Sequence, residues 1–275
     1  MKIDAHQHFW VFDPVRDAWI NEEMAVIRQD FLPENLQPIL FRHNIEACVA
    51  VQADQSEIET EFLLGLSQTH SFIKGVVGWT DLRAKNVDEK LEHYAQYQSI
   101  KGFRHIVQGE SDDFFMLRTE FLNGIKALSK HNFSYDLLIF PHQLASAKQL
   151  VARFGHQPFV LDHLAKPYIK KGLIDQWKTD LNELAKHDNV FCKISGMVTE
   201  ANPRTWSDTD LRPYLDVAFE AFGTERLMFG SDWPVCLLAA EYDQVVNTLA
   251  NYLEEFSSDE KSKIWGLNAQ RFYRI

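Results

Sequence analysis

The stretch IEACVAVQADQSEIETEFLLGLSQT, residues 45–69, carries the reading of the fold. Residues 45–52 form a short apolar run, as a parallel strand does when both its faces are covered. Residues 57–69 form a longer amphipathic run, and the pattern predicts a helix. Strand then helix is one βα unit, and the same unit recurs on either side of it.

Upstream, a first strand at 2–8 leads into an aromatic segment with Phe9, Trp10, Phe12 and Trp19, then a helix over 33–43 with Pro33 in its first turn. Downstream, strands are predicted at 72–79, 100–106, 133–140, 158–164, 189–195 and 226–233. Helices are predicted near 87–97, 114–131, 142–154, 173–187, 208–222, 241–254 and 259–271. Strict alternation with right-handed crossovers leaves an open doubly wound sheet or a closed barrel. The first strand lacks the glycine-rich phosphate loop of a dinucleotide fold. Even spacing and a length of 275 residues favour a single-domain (β/α)8 TIM barrel over residues 1–275. No linker rich in Pro, Gly or Ser divides the chain.

The formal net charge of −11 disfavours nucleic acid and anionic membrane as partners. No apolar run is long enough to cross a bilayer, and no signal peptide is read at the N-terminus. Cys48, Cys192 and Cys236 are isolated, with no CxxC spacing, and read as reduced thiols of a cytoplasmic protein.

A barrel of this kind places its active site at the carboxyl ends of the strands. His6 and His8 lie two apart at the end of the first strand, so they project to one face. There they can hold a metal ion or polarise a substrate oxygen. Arg104 and His105 end the fourth strand, Asp162 and His163 the sixth, Lys193 and Ser195 the seventh, and Asp232 the eighth. Asp232 sits in an apolar setting that suits a general base, although a helix N-cap is the other common use of such an Asp. Asp162 alternates away from His163 and is expected in packing or a salt bridge on the other face. His105 and Lys193 are expected to be supporting residues. Arg104 suits hydroxyl or carboxylate oxygens. Trp79, Trp206 and His142 fall in βα connections where they can line a pocket, as can Cys236, which has no base beside it.

Eight segments together resemble the sugar-lactonase branch of the amidohydrolase superfamily. They are IDAHQHFW at 3–10, VQADQSEIET at 51–60, GVVGWTDL at 75–82, KGFRHIVQ at 101–108, VLDHLAKP at 160–167, CKISGM at 192–197, FGSDWPVC at 229–236 and NAQRFY at 268–273. That branch includes L-fuconolactonases, L-rhamnonolactonases and 2-pyrone-4,6-dicarboxylate lactonases. The resemblance implies a (β/α)8 barrel that opens a small-molecule sugar lactone, with Asp232, His6, His8 and His163 as catalytic residues. Asp232 would activate water and the histidines would bind the oxyanion. Arg104, Trp79, His142, Trp206 and Cys236 would contact the sugar.

Metal-dependent members of the superfamily add a fifth-strand histidine and often a bridging fourth-strand lysine. FSYDLLIF at 133–140 has no histidine, and Lys101 begins its strand rather than ending it. No cofactor is therefore expected to be required, and His6, His8 and Asp232 are the ligands if one Zn²⁺ or another divalent ion binds. A zinc-dependent hydrolase, a decarboxylase of the same superfamily and a non-catalytic binding protein are the alternatives. The sequence leaves the lactone's identity and the oligomeric state open.

Overall fold

The structure, a computed structural model, describes residues 1–275. Its centre is a parallel sheet of β1 (Ile3–Gln7), β2 (Ala47–Val51), β3 (Ile73–Gly78), β4 (Ile100–His105), β5 (Ser134–Leu137), β6 (Phe159–Leu161), β7 (Val190–Ile194) and β8 (Leu227–Phe229), each paired with the next. The sheet closes where the backbone of β1 meets the segment after β8. Asp232 N–H donates to the His6 carbonyl at 2.8 Å, and His8 N–H donates to the Trp233 carbonyl at 2.7 Å. The seam of the barrel thus runs through three of the residues picked out for chemistry.

Helices α1 (Pro33–Arg42), α2 (Glu57–Thr69), α3 (Val87–Tyr94), α4 (Thr119–Lys130), α5 (Leu144–Arg153) and α6 (Asp175–Ala185) follow the first six strands. A short α7 (Met197–Glu200) and then α8 (Asp208–Phe222) follow β7, and α9 (Tyr242–Tyr252) follows β8. The chain ends in α10 (Ser258–Ser262), a π turn at Lys263–Leu267 and α11 (Asn268–Tyr273).

The expected order of elements holds, with local differences. Phe115–Leu117 is a separate 3-10 turn before α4, where one helix over 114–131 was expected. β6 and β8 are shorter than the apolar runs that suggested them, because the chain leaves the extended region early: His163 and Asp232 have φ of 54° and 59°.

Alternate strand residues divide the core. Cys48, Ala50, Leu161 and Phe229 face the helices, whereas Ile3, Ala5, Val49, Val51, Val77, Val160 and Met228 pack together inside the barrel. Phe272 and Tyr273 of α11 join this inner cluster and close the barrel floor. Above that floor the filling changes from apolar to charged.

Candidate active site

Two breaks in strand regularity aim the histidines. In β1, Ile3 and Ala5 point inward, and strict alternation would turn His6 outward. The β1–β2 register slips between Asp4 and Gln7, as at a β-bulge, so Asp4 and Gln7 face outward while His6 and His8 face the barrel axis. Asp4 is held on the outer side by Ser231 Oγ at 2.6 Å and Tyr242 OH at 3.0 Å. Gly230 is needed beside this bulge, because a Cβ there would lie 2.7 Å from the Cβ of His6.

After β6, His163, Leu164, Ala165 and Lys166 all have left-handed φ, between 51° and 58°. For non-glycine residues this costs roughly 1–2 kcal/mol apiece. The surroundings hold the turn: Trp177 Nε1 donates to the Leu164 carbonyl at 2.7 Å, and Lys166 N–H donates to the His163 carbonyl at 2.7 Å. The turn changes which residues face the barrel interior. Asp162 continues the inward side begun by Val160, and His163 is swung in beside it. The expectation that Asp162 occupies the opposite face is therefore corrected; its salt bridges lie inside the barrel. Ser195 Oγ meets His163 Nδ1 at 2.8 Å. Gly196 (φ 62°) leaves room for that ring, since a Cβ would stand 2.6 Å from Nδ1.

Asp232 is the meeting point. Its Oδ1 lies 3.3 Å from His8 Nε2, 3.8 Å from His6 Nε2 and 3.8 Å from His163 Nε2. His8 Nδ1 sits 2.8 Å from the Val51 carbonyl, which can only accept, so Nδ1 carries a proton. Burial drives His6 and His163 well below the ordinary value of 6.5. Lys193 reinforces this for His6, while the charge of Asp232 opposes it for His163. Burial also raises Asp232, but His163 and the His8 contact outweigh it and hold the carboxyl below the usual range.

Beneath lies a charged layer with almost no solvent access. Lys193 Nζ donates to Asp136 at 2.6 Å, lies 3.0 Å from Asp162 Oδ1 and 3.1 Å from His6 Nδ1. Arg104 donates to Asp162 at 3.1 Å and to the Gln52 carbonyl, and its Nη1 reaches His6 Nε2 at 3.3 Å. Tyr273 OH donates to Asp136 at 2.8 Å, tying the layer to the barrel floor. Burial pushes Asp136 up to about 6, with Lys193 pulling against it; the same burial on Asp162 is overcome by Lys193 and Arg104.

A cavity of about 260 Å³ opens above this layer. His8, Arg104, Gln108, His163, Lys166 and Asp232 supply its polar wall, and Trp19, Ala53, Ile106, Leu138 and Val235 the rest. His6 is fully buried and reaches Asp232 from below rather than lining the cavity.

Four residues expected at the sugar do not line this cavity. Trp79 Nε1 points to His105 Nδ1 at 3.4 Å. The exposed His142 stands 3.3 Å from Asp113. Trp206 donates to the Ala239 carbonyl at 2.8 Å and borders a separate polar groove with Arg204 and Asp208. Cys236 is fully buried, and the 3-10 turn at Val235–Leu238 gives the cavity Val235 in its place. Conversely, the cavity wall includes Gln108 and Lys166, which lie at and next to the ends of KGFRHIVQ and VLDHLAKP and were not among the expected site residues.

His6, His8 and Asp232 present donor atoms that lie within 4.8 Å of one another, as do His6, Asp162 and His163. Two imidazoles and a carboxylate suit one divalent ion. The Nδ1–H of His8 is engaged by a backbone carbonyl, which fixes the ring and aims Nε2 at the site. The second trio fits an ion poorly, because Asp162 is already claimed by Arg104 and Lys193.

Residues 3–275 match the amidohydrolase family. The chain belongs to that family. It is 40% identical to the L-fucono-1,5-lactonase of Burkholderia multivorans, covering 100% of this chain and 96% of that protein. It is 33% identical to the L-fucono-1,5-lactonase of Burkholderia ambifaria, with the same coverage. The crystal structure of a Burkholderia multivorans amidohydrolase with bound zinc superposes with a TM-score of 0.96 at 39% identity, covering 100% of this chain and 99% of the other. The amidohydrolase family and the (β/α)8 barrel implied by the sequence are both borne out. This family member is an enzyme, and its similarity to these relatives makes it a hydrolase.

Proposed function

We propose that this amidohydrolase hydrolyses a sugar lactone of the L-fucono-1,5-lactone or L-rhamnonolactone type. The observation that carries the reading is the convergence of His8, His163 and Asp232 on one monosaccharide-sized cavity, supported by full-length similarity to two lactonases.

Asp232, ionised, accepts a proton from a water held against the lactone carbonyl, and the water oxygen bonds to the carbonyl carbon. The protonated His8 Nδ1 is committed to Val51, so Nε2 shares the acceptor role with Asp232 and steadies the incoming proton. His163 Nε2 and the Arg104 guanidinium are placed to donate to the oxyanion that forms. Such donors are worth roughly 3 kcal/mol each. Collapse of the tetrahedral species breaks the ring C–O bond, and the proton on Asp232 passes to the leaving oxygen, giving the hydroxy acid. His6 acts from beneath, pressing Nε2 towards Asp232 while Lys193 and Arg104 keep its ring neutral. Lys166, at the cavity wall, complements the negative charge of the carboxylate product.

Lactones are activated esters, and these residues suffice for their hydrolysis without a required cofactor. A divalent ion, when bound, would be held by His6, His8 and Asp232 and would supply Lewis-acid activation of water.

The acidic net charge argues against nucleic acid as a partner, and no helix is long and apolar enough to cross a membrane. Three buried free cysteines suit a reducing, cytoplasmic setting. Acid release on mixing the protein with L-fucono-1,5-lactone or an L-rhamnonolactone tests the reading, and absence of release from both would overturn it.

A further inference from the structure

The histidines, Asp232 and Arg104 account for chemistry at the carbonyl, but a sugar lactone also carries hydroxyl groups that must be recognised. Gln108 is the polar residue of the cavity wall that no other part of the protein uses. Its backbone N–H is fixed to the Leu138 carbonyl at 3.0 Å, so the residue is anchored between the ends of β4 and β5. Its side chain makes no hydrogen bond, and Oε1 is buried without a partner. A buried, unpaired amide oxygen normally costs the fold something like a lost hydrogen bond. Arg104 Nε, in the same wall, is likewise buried and unpaired, although the rest of that guanidinium is engaged. The same cavity wall carries the apolar Ile106 and Leu138.

We propose that Gln108 is a specificity-determining residue whose side-chain amide hydrogen-bonds one hydroxyl of the lactone. An amide can both donate and accept, as a hydroxyl can, so the two match whichever way the amide is turned. A site built to bond a hydroxyl rejects an analogue lacking it, because its own polar atom is then left buried and unpaired. This assignment rests on the lactonase reading and identifies the part of the substrate that the β4–β5 side of the cavity reads.

The test pairs Gln108→Met, similar in length but apolar, with a set of L-fuconolactone analogues each lacking one hydroxyl. Wild-type kcat/KM should drop roughly tenfold on one member of the set, the size expected of one neutral hydrogen bond. Gln108→Met should lose a similar factor on the parent lactone, mostly through KM, and lose nothing further on that one analogue. Equal losses by Gln108→Met on every lactone, or no loss on any, would overturn the assignment while leaving the lactonase reading intact. Failure of the wild-type enzyme to open any lactone of the set would overturn both. Thermal unfolding of the variant close to wild type is expected, since Gln108 is only partly buried and its side chain bonds nothing; a marked drop would make its role structural and also overturn the assignment.

Discussion

His8 Nε2 faces Asp232 Oδ1 across 3.3 Å, while the other nitrogen of the same ring is spent on the Val51 carbonyl. With Nδ1–H engaged, Nε2 is the ring atom left to meet the carboxylate. The pair therefore leaves room for one proton or one cation between them. This is the feature that makes the site a trap for a water proton.

The pH dependence follows from the same arrangement. His6 and His163 are held well below 6.5 and Asp232 below the usual carboxylate range, chiefly through burial for the histidines and through the facing imidazoles for Asp232. Asp232 must be ionised to accept the proton, and lowering the pKa of a base moves the acid limb to lower pH. kcat/KM should thus hold level through pH 6.5 and fall only at lower pH. A limb centred at 6.5 or higher would contradict the assignment.

Chelation should leave the lactonase rate of the stripped protein unchanged. Zinc added back should bind at the His6, His8 and Asp232 trio, and His8→Ala should weaken that binding in a calorimetric titration. Loss of activity on stripping, restored by zinc, would make the ion part of the reaction.

Lys193 supports the site through the charged layer beneath it. Lys193→Met removes the cation but leaves Asp136 and Asp162 buried. Breaking one partner of a buried ion cluster costs about 3–5 kcal/mol, so denaturant unfolding should register a loss of that order. A loss well under ~1 kcal/mol would mean that the layer relaxes or admits water.

Gly196 is required by both backbone and space. In Gly196→Ala the new Cβ meets His163 Nδ1 at 2.6 Å, at a φ of 62° that disfavours any side chain. The strain should cost ~1–2 kcal/mol of stability, and displacement of His163 should lower kcat disproportionately. Activity equal to wild type would show that the His163–Ser195 contact does not position the ring for reaction.

Much of this was legible in the chain. The strand–helix alternation reads directly because parallel strands covered on both faces are apolar throughout, as in β2 and β3. His6 and His8 were placed by the period of a strand, and Asp232 by its position after an apolar run. What stayed hidden depends on backbone irregularity. The register slip between Asp4 and Gln7 has no distinct composition, and neither does the left-handed run His163–Lys166, which contains no glycine. That run alone decides that His163 faces inward beside Asp162. Trp79, His142 and Trp206 lie in connections, where periodicity says nothing about direction. Cys236 is kept off this cavity by a single 3-10 turn. Gln108 and Lys166 were within the matched segments, but a cavity wall built from several loops cannot be read along one of them.

The most direct measurement is the initial rate of acid release from L-fucono-1,5-lactone by chelator-treated wild-type protein and Asp232→Asn, side by side. Turnover by the wild type is expected, with a rate lower by about 10²–10⁴ in Asp232→Asn at unchanged folding. Similar rates for the two proteins, or none for the wild type, would contradict the assignment of Asp232 as the base of a lactonase.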